Sequence, residues 1–213
     1  MEGSVTAIVI RAEERKDSDY LLRLFSAEGV ISAVMRGVRR ASSKMKFAAQ
    51  PFAFCVYELS GRGEIPVVTG ATQIEDFSGI AEDIVSFSAC SVMLEAARYS
   101  VDAVDCPDSF VSLLKCIKAV LYSAVNPAIV AIKYLQKLLF SSGFFRPEKG
   151  ELPEKDNCII SADKLCKAVA ASRLDELLEI TASDEAINSA LAITADKFEK
   201  FFYCTLSSAR FFT

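Results

Sequence analysis

Two hydrophobic periods divide the chain. Up to about residue 75 the apolar positions come in short runs, several of which alternate with polar ones, the pattern of half-buried β-strands. Five runs qualify: Val5–Arg11 (VTAIVIR), Asp19–Ser26 (DYLLRLFS), Val30–Arg36 (VISAVMR), Pro51–Ser60 (PFAFCVYELS) and Ile65–Gln73 (IPVVTGATQ). Turn signals separate them: the charged ERKDSD stretch, Ala27-Glu28-Gly29, a basic loop, and Gly61-Arg62-Gly63. In the fourth run Phe52, Phe54 and Val56 alternate with Ala53, Cys55 and Tyr57. Five short strands in so short a span predict a small closed barrel of the oligonucleotide-binding (OB) type. The same strands also fit an open antiparallel sheet or an SH3-like barrel.

From residue 78 the period becomes helical. A first helix is expected to place Ile80, Ile84, Phe87, Cys90, Met93, Leu94 and Ala97 on one side. A second starts at Pro107 and carries Phe110, Leu113, Leu114, Ile117 and Leu121. Asn126-Pro127 caps and opens a third, which Gly143 ends. Residues 144–160 read as an exposed loop. Ser161 starts a short helix, Ser172 another, and Thr181 or Ser183 caps a last long helix ending near Leu206. The predicted class is α+β: a five-stranded OB barrel over residues 1–77, then an all-α domain over 78–213.

Composition narrows the chemistry. The chain of 213 residues is 52% hydrophobic and 24% charged, as a well-packed globular protein should be. With no basic n-region before an apolar core, and no apolar run long enough for a bilayer, the expectation is a soluble, cytoplasmic protein. There is no histidine, which rules out a Ser-His-Asp triad, a Cys-His pair and any histidine-bearing metal site. The seven cysteines include no CxxC pair and read as reduced thiols, mostly buried, so no zinc or other cofactor is expected. Neither GxxxxGK[ST] nor GxGxxG occurs, and nothing asks for an enzymatic reading.

One stretch stands apart. Arg36, Arg39, Arg40, Lys44 and Lys46 lie within eleven residues, and no acid occurs between Glu28 and Glu58, although the chain carries a formal charge of −4. A loop that serves solubility mixes signs; this one does not. Its cations would neutralise phosphates, with Phe47 or Phe52 as a stacking surface and Arg62 extending the patch. The competing reading is a solvated, mobile loop.

The run Met35–Phe52 (MRGVRRASSKMKFAAQPF), the Gly-Arg-Gly hairpin in ELSGRGE, the strands within TAIVIRAEERKDSDYLLRLFSAEG and the helix NPAIVAIKYLQKLLFSSGF together resemble the bacterial RecO family of recombination mediators. Leu206, Ser208, Arg210 and Phe211 loosely resemble that family's carboxyl-terminal motif. The resemblance implies an OB domain followed by a helical domain, and no enzyme activity. It also implies binding of single- and double-stranded DNA, annealing of complementary strands, and loading of RecA onto DNA coated by single-strand-binding protein (SSB). RecR and, in many cases, RecF are the implied partners, in a nucleoid-associated cytoplasmic setting. It assigns Arg36, Arg39, Lys44 and Lys46 to DNA; Arg40 joins them by charge. The acidic, phenylalanine-ended SSB tail needs an apolar pocket with a cationic rim, for which Lys115, Lys118, Lys133 and Lys137 are the candidates, each one also readable as an ordinary solvated helix lysine. The four-cysteine zinc module of many relatives is missing, since Cys158 and Cys166 stand alone. Two other functions fit the same residues: an adaptor acting through its helical domain with weak or no DNA binding, and an RNA-binding OB protein.

Overall fold

The computed structural model describes residues 2–15, 18–61, 63–144, 158–159 and 161–212. It divides into two units, Met1–Gly79 with Cys106–Phe110, and Ile80–Asp105 with Val111–Thr213.

The first unit holds five strands: β1 (Glu2–Arg15), β2 (Asp19–Ser26), β3 (Gly29–Met35), β4 (Phe54–Ser60) and β5 (Val67–Glu75). They close in the order β1-β2-β3-β5-β4, the OB arrangement, which decides against an open sheet. β1 is twice the predicted length because it serves two neighbours. Glu2–Ile8 pairs with β4 and Ala7–Arg15 with β2, and a register shift between Val9 and Arg11 supplies the bend. Closure between β3 and β5 is a short parallel contact at Val34 and Val67, with Val34 N–H donating to the Pro66 carbonyl at 2.9 Å.

Strand alternation fills the barrel. Ala7, Val9, Leu22, Leu24, Ala33, Met35, Cys55, Tyr57, Leu59 and Val68 form one buried cluster. On the opposite face of β4, Phe54 stacks on Phe77 with ring centroids 6.0 Å apart. Three residues of the basic connection between β3 and β4 join the interior cluster: Val38, Ala48 and Ala49. That connection therefore plugs the barrel.

The second unit is helical. Its principal elements are α1 (Ile84–Ser100), α2 (Cys106–Tyr122, whose first residues group with the barrel unit), α3 (Pro127–Ser141), α4 (Ala162–Ala171) and α5 (Asp184–Phe202). Side chains mark three starts. Asp83 accepts from Ser86 N–H at 2.7 Å, Asn126 from Ala128 N–H at 2.9 Å, and Ser183 from Ala186 N–H at 3.3 Å. Gly143 comes after α3 at φ +82°, the left-handed backbone that ends many helices.

Three expectations need correction. A 3-10 turn over Ser78–Glu82 precedes α1, so Ile80 and Ile84 share no helix: Ile80 is fully buried and Ile84 is 61% exposed. Ser172 ends α4 instead of starting a helix. Its hydroxyl donates back to the Ala168 carbonyl at 2.8 Å, and the chain then enters a 3-10 turn over Asp175–Glu179. The last helix stops at Phe202, where Tyr203 adopts φ 49°, ψ 47°; a 3-10 segment, Ser207–Phe212, completes the chain's described end. The predicted 144–160 loop lies mostly outside the described residues. Glu95 of α1 holds the final segment, accepting from Ser208 N–H at 3.1 Å and Ser208 Oγ at 3.2 Å. Among the described residues no helix is long and apolar enough to cross a membrane.

Candidate nucleic-acid interface

The connection from Arg36 to Ala53 is fastened at both ends and in the middle. Gly37 turns the chain at φ +63°, where a side chain is strained, and its N–H donates to Asp19 Oδ1 at 2.7 Å. Arg39 N–H donates to the Ser18 carbonyl at 3.0 Å. A 3-10 turn over Lys46–Ala49 carries Ala48 and Ala49 into the core, and the buried Tyr57 hydroxyl donates to the Ala48 carbonyl at 2.8 Å. Burial pushes the titration of that hydroxyl far above the usual phenol range, so it stays a donor. At the exit, Val9 and the Phe52–Ala53 backbone exchange two bonds, Val9 N–H to Ala53 C=O at 3.0 Å and Phe52 N–H to Val9 C=O at 3.1 Å. Val38, Ala48 and Ala49 face in, and the charged residues lie on the outside.

Arg36, Arg39, Arg40, Lys44 and Lys46 are all exposed. Three core residues seat the loop, and its five cations lie on the outside. Two of the cations share a recess of about 290 Å3 lined by Glu14, Tyr20, Val38, Arg39, Lys46 and Gln50. The Arg39 guanidinium lies 5.9 Å from the Tyr20 ring centre, and its Nη1 is 2.9 Å from Glu14 Oε2. Arg40 Nε donates to Ser18 Oγ at 3.1 Å. Arg36 and Lys44 lie outside the recess lining. Arg62 falls outside the described residues. Of the two phenylalanines, Phe47 is 39% exposed and available for stacking, whereas Phe52 is buried and is not. The φ of +68° at Phe52 belongs to the turn that returns the chain to β4.

Sequence reading missed Glu14, Tyr20 and Gln50. A signal existed for the first two: Glu14 and Tyr20 are cross-strand partners in the β1–β2 hairpin, and a charge run opposite a basic loop is a candidate for pairing with it.

The four lysines expected to receive an acidic tail separate in the helical unit. Lys115 and Lys118 line a recess of about 640 Å3 with Ala119, Tyr122, Val125 and the segment Arg173–Asp175 and Leu178. Tyr122 is 63% and Leu178 53% exposed, so the recess offers apolar surface beside cations. Lys133 and Lys137 are not part of it. Lys133 Nζ donates to the carbonyls of Val169 (3.0 Å), Ala170 (3.2 Å) and Ser172 (2.6 Å), capping the carboxyl end of α4, and burial lowers its pKa. Lys137 donates to Ser112 Oγ. Arg173, which sequence reading does not single out, supplies a cation where Lys133 was expected to.

Of the seven thiols, Cys55, Cys90 and Cys116 are buried and Cys158 is exposed. Burial pushes Cys90 and Cys116 up to about 12, which leaves both protonated at neutral pH.

Similarity to known proteins covers the barrel and extends beyond it. The model of the family described as Recombination protein O N terminal matches residues 1–77. The DNA repair protein RecO of Desulfitobacterium hafniense (strain DSM 10664 / DCB-2) is 31% identical over 150 residues, which cover 70% of this chain and 54% of that protein. Residues 1–77 belong to the RecO amino-terminal domain family. Other RecO proteins are similar too: that of Heliobacterium modesticaldum at 33% over 90 residues (42% of this chain, 33% of the relative), and that of Cutibacterium acnes at 29% over 146 residues (65% and 59%). The chain spans about half the length of the curated RecO relatives it matches. The matched family domain, 1–77, contains the whole barrel and its basic connection.

Proposed function

We propose that this protein acts in DNA repair as a recombination mediator. Its barrel binds single- and double-stranded DNA and anneals complementary strands, and with RecR, and RecF where present, it helps load RecA onto SSB-coated DNA. The observation that carries the reading is the anchored cationic platform: five exposed basic residues on a connection whose apolar residues plug an OB barrel. Phosphate contacts supply most of the affinity of such a surface, and five of them to a single strand give a log–log salt slope of roughly −3.5. The acidic remainder of the molecule confines the strand to that face. Names of the relatives support the repair role. Changing Arg39 and Arg40 together to Glu should abolish strand annealing while circular dichroism stays native. Annealing at the unaltered rate by the folded double variant would end this reading.

The recess at Lys115, Lys118 and Arg173 supports the SSB tail as a partner, with Tyr122 and Leu178 as apolar contacts and the cations for the acidic residues and terminal carboxylate. The same recess favours a second reading, an adaptor that works through its helical unit alone. A complex with the tail peptide or RecR that forms equally well at high salt, with no measurable DNA binding, would favour the adaptor.

A further inference from the structure

Arg39 faces two anions. One is present: the Glu14 carboxylate, 2.9 Å from Arg39 Nη1, with side-chain exposures of 63% for Glu14 and 36% for Arg39. The other is the strand phosphate of the proposed function, on which this inference rests. A guanidinium pairs with carboxylate and phosphate through the same fork of N–H donors, so the two anions compete for one position. The recess holds a second cation, Lys46, and the Gln50 amide, which can add bonds to a phosphate.

We propose that Glu14 is a built-in competitor for the DNA phosphate at Arg39. In the free protein its carboxylate occupies the anion position of the recess. On binding, a phosphodiester displaces it, the Glu14 side chain moves into solvent, and Arg39 and Lys46 hold the phosphate.

Three observations favour exchange over a static pair. Glu14 is the more exposed partner, so it leaves without exposing buried surface. An ion pair this exposed favours association by no more than about fivefold, which a phosphate with a second cation can exceed. Arg39 has a second support, since its guanidinium also lies by the Tyr20 ring, so losing Glu14 does not set the arginine adrift. The device lowers affinity and speeds release, and an annealing protein must let go of the duplex it makes.

The test is a double-mutant cycle read by anisotropy of a labelled single-stranded oligonucleotide at low salt, with the full chain. Glu14→Gln should tighten binding roughly two- to fivefold, the size of the exposed pair it removes. Arg39→Gln should weaken it, and adding Glu14→Gln to Arg39→Gln should then give little further gain. Glu13→Gln is the control for bulk charge: Glu13 neighbours Glu14 but pairs with Arg11 at 2.8 Å, and its loss should leave the affinity at the wild-type value. The inference is overturned if Glu14→Gln fails to tighten binding, if its gain is as large without Arg39, or if Glu13→Gln matches it. Loss of binding in Arg39→Gln with no effect of Glu14→Gln removes the competitor and leaves the DNA reading standing. A wild-type protein that binds no DNA removes both.

Discussion

The Tyr57 hydroxyl donates to the Ala48 carbonyl at 2.8 Å, across nine residues of sequence, and so ties the 3-10 turn of the basic connection to the middle of β4. Both ends of this bond lie in the barrel interior, where Tyr57 and Ala48 are fully buried. No water can replace a lost partner there without opening the barrel.

Tyr57→Phe keeps the ring and removes the donor. The Ala48 carbonyl is left unsatisfied, which costs about 1–3 kcal/mol. Urea unfolding should show that loss. A midpoint equal to wild type would mean that the bond contributes nothing.

Lys133→Met removes three hydrogen bonds from the end of α4 and replaces a partly buried ammonium with an apolar chain of similar reach. Losing the bonds outweighs the relief of desolvation, and we expect destabilisation of about 1–2 kcal/mol. Amide exchange should quicken in α4 and Arg173–Leu178 before it does in α5. Uniform, wild-type protection in α4 would argue against a capping role.

Lys118→Glu reverses a charge on the wall of the helical recess. Binding of an acidic peptide ending in Phe should weaken about tenfold or more, from lost attraction and new repulsion, while DNA binding by the barrel stays at its wild-type strength. If the peptide binds Lys118→Glu as before, it docks elsewhere.

Stability should fall in alkali. Burial raises the pKa of Cys55, Cys90, Cys116, Cys166 and Cys204, in the second and third to about 12, so between the ordinary thiol value of about 8.5 and these higher values the unfolded chain releases protons that the folded chain keeps. For the buried Cys90 and Cys116 that stability is complete below about pH 8.5 and drains away above it, by up to about 1.4 kcal/mol per pH unit each, and the less buried thiols lose less. Lys133 works in the opposite sense, its pKa being lowered by burial, but it is one group against five. Urea midpoints under reducing conditions should be level up to about pH 8.5 and decline beyond it; a rise in more alkaline buffer would contradict the burial of these thiols.

The barrel is legible because its strands announce themselves twice, by alternation and by the turn residues between them. Leu22 and Leu24 point in because they are two apart, and no tertiary detail is needed to say so. The connection is harder. Val38, Ala48 and Ala49 are isolated apolar residues among charges, with no period to mark them as core, and the sequence alone leaves the segment free to be a mobile loop. Positions at element ends fail for a related reason. Ile84 continues the spacing from Ile80, but a 3-10 turn resets the angle between them, and Tyr203 takes a left-handed backbone that glycine usually marks. Phe52 reads as available because it adjoins the basic loop, and it is buried where a left-handed turn bonded to Val9 returns the chain to β4. Cations are the reverse case. Their positions are plain, but whether a lysine meets solvent or a helix end depends on what packs against it, so Lys118 lines a recess and Lys133, spaced as regularly along α3, does not.

Because Val38, Ala48 and Ala49 of the cationic connection also fill the barrel, displacing the connection would uncover part of the core. A strand that docks on a connection anchored in this way is expected to lose less affinity to ordering the backbone than one that docks on an unanchored loop. Loosening this stopper to make the loop adaptable would open part of the barrel's interior to water, so adaptability of the cationic array and stability of the barrel draw on the same three side chains.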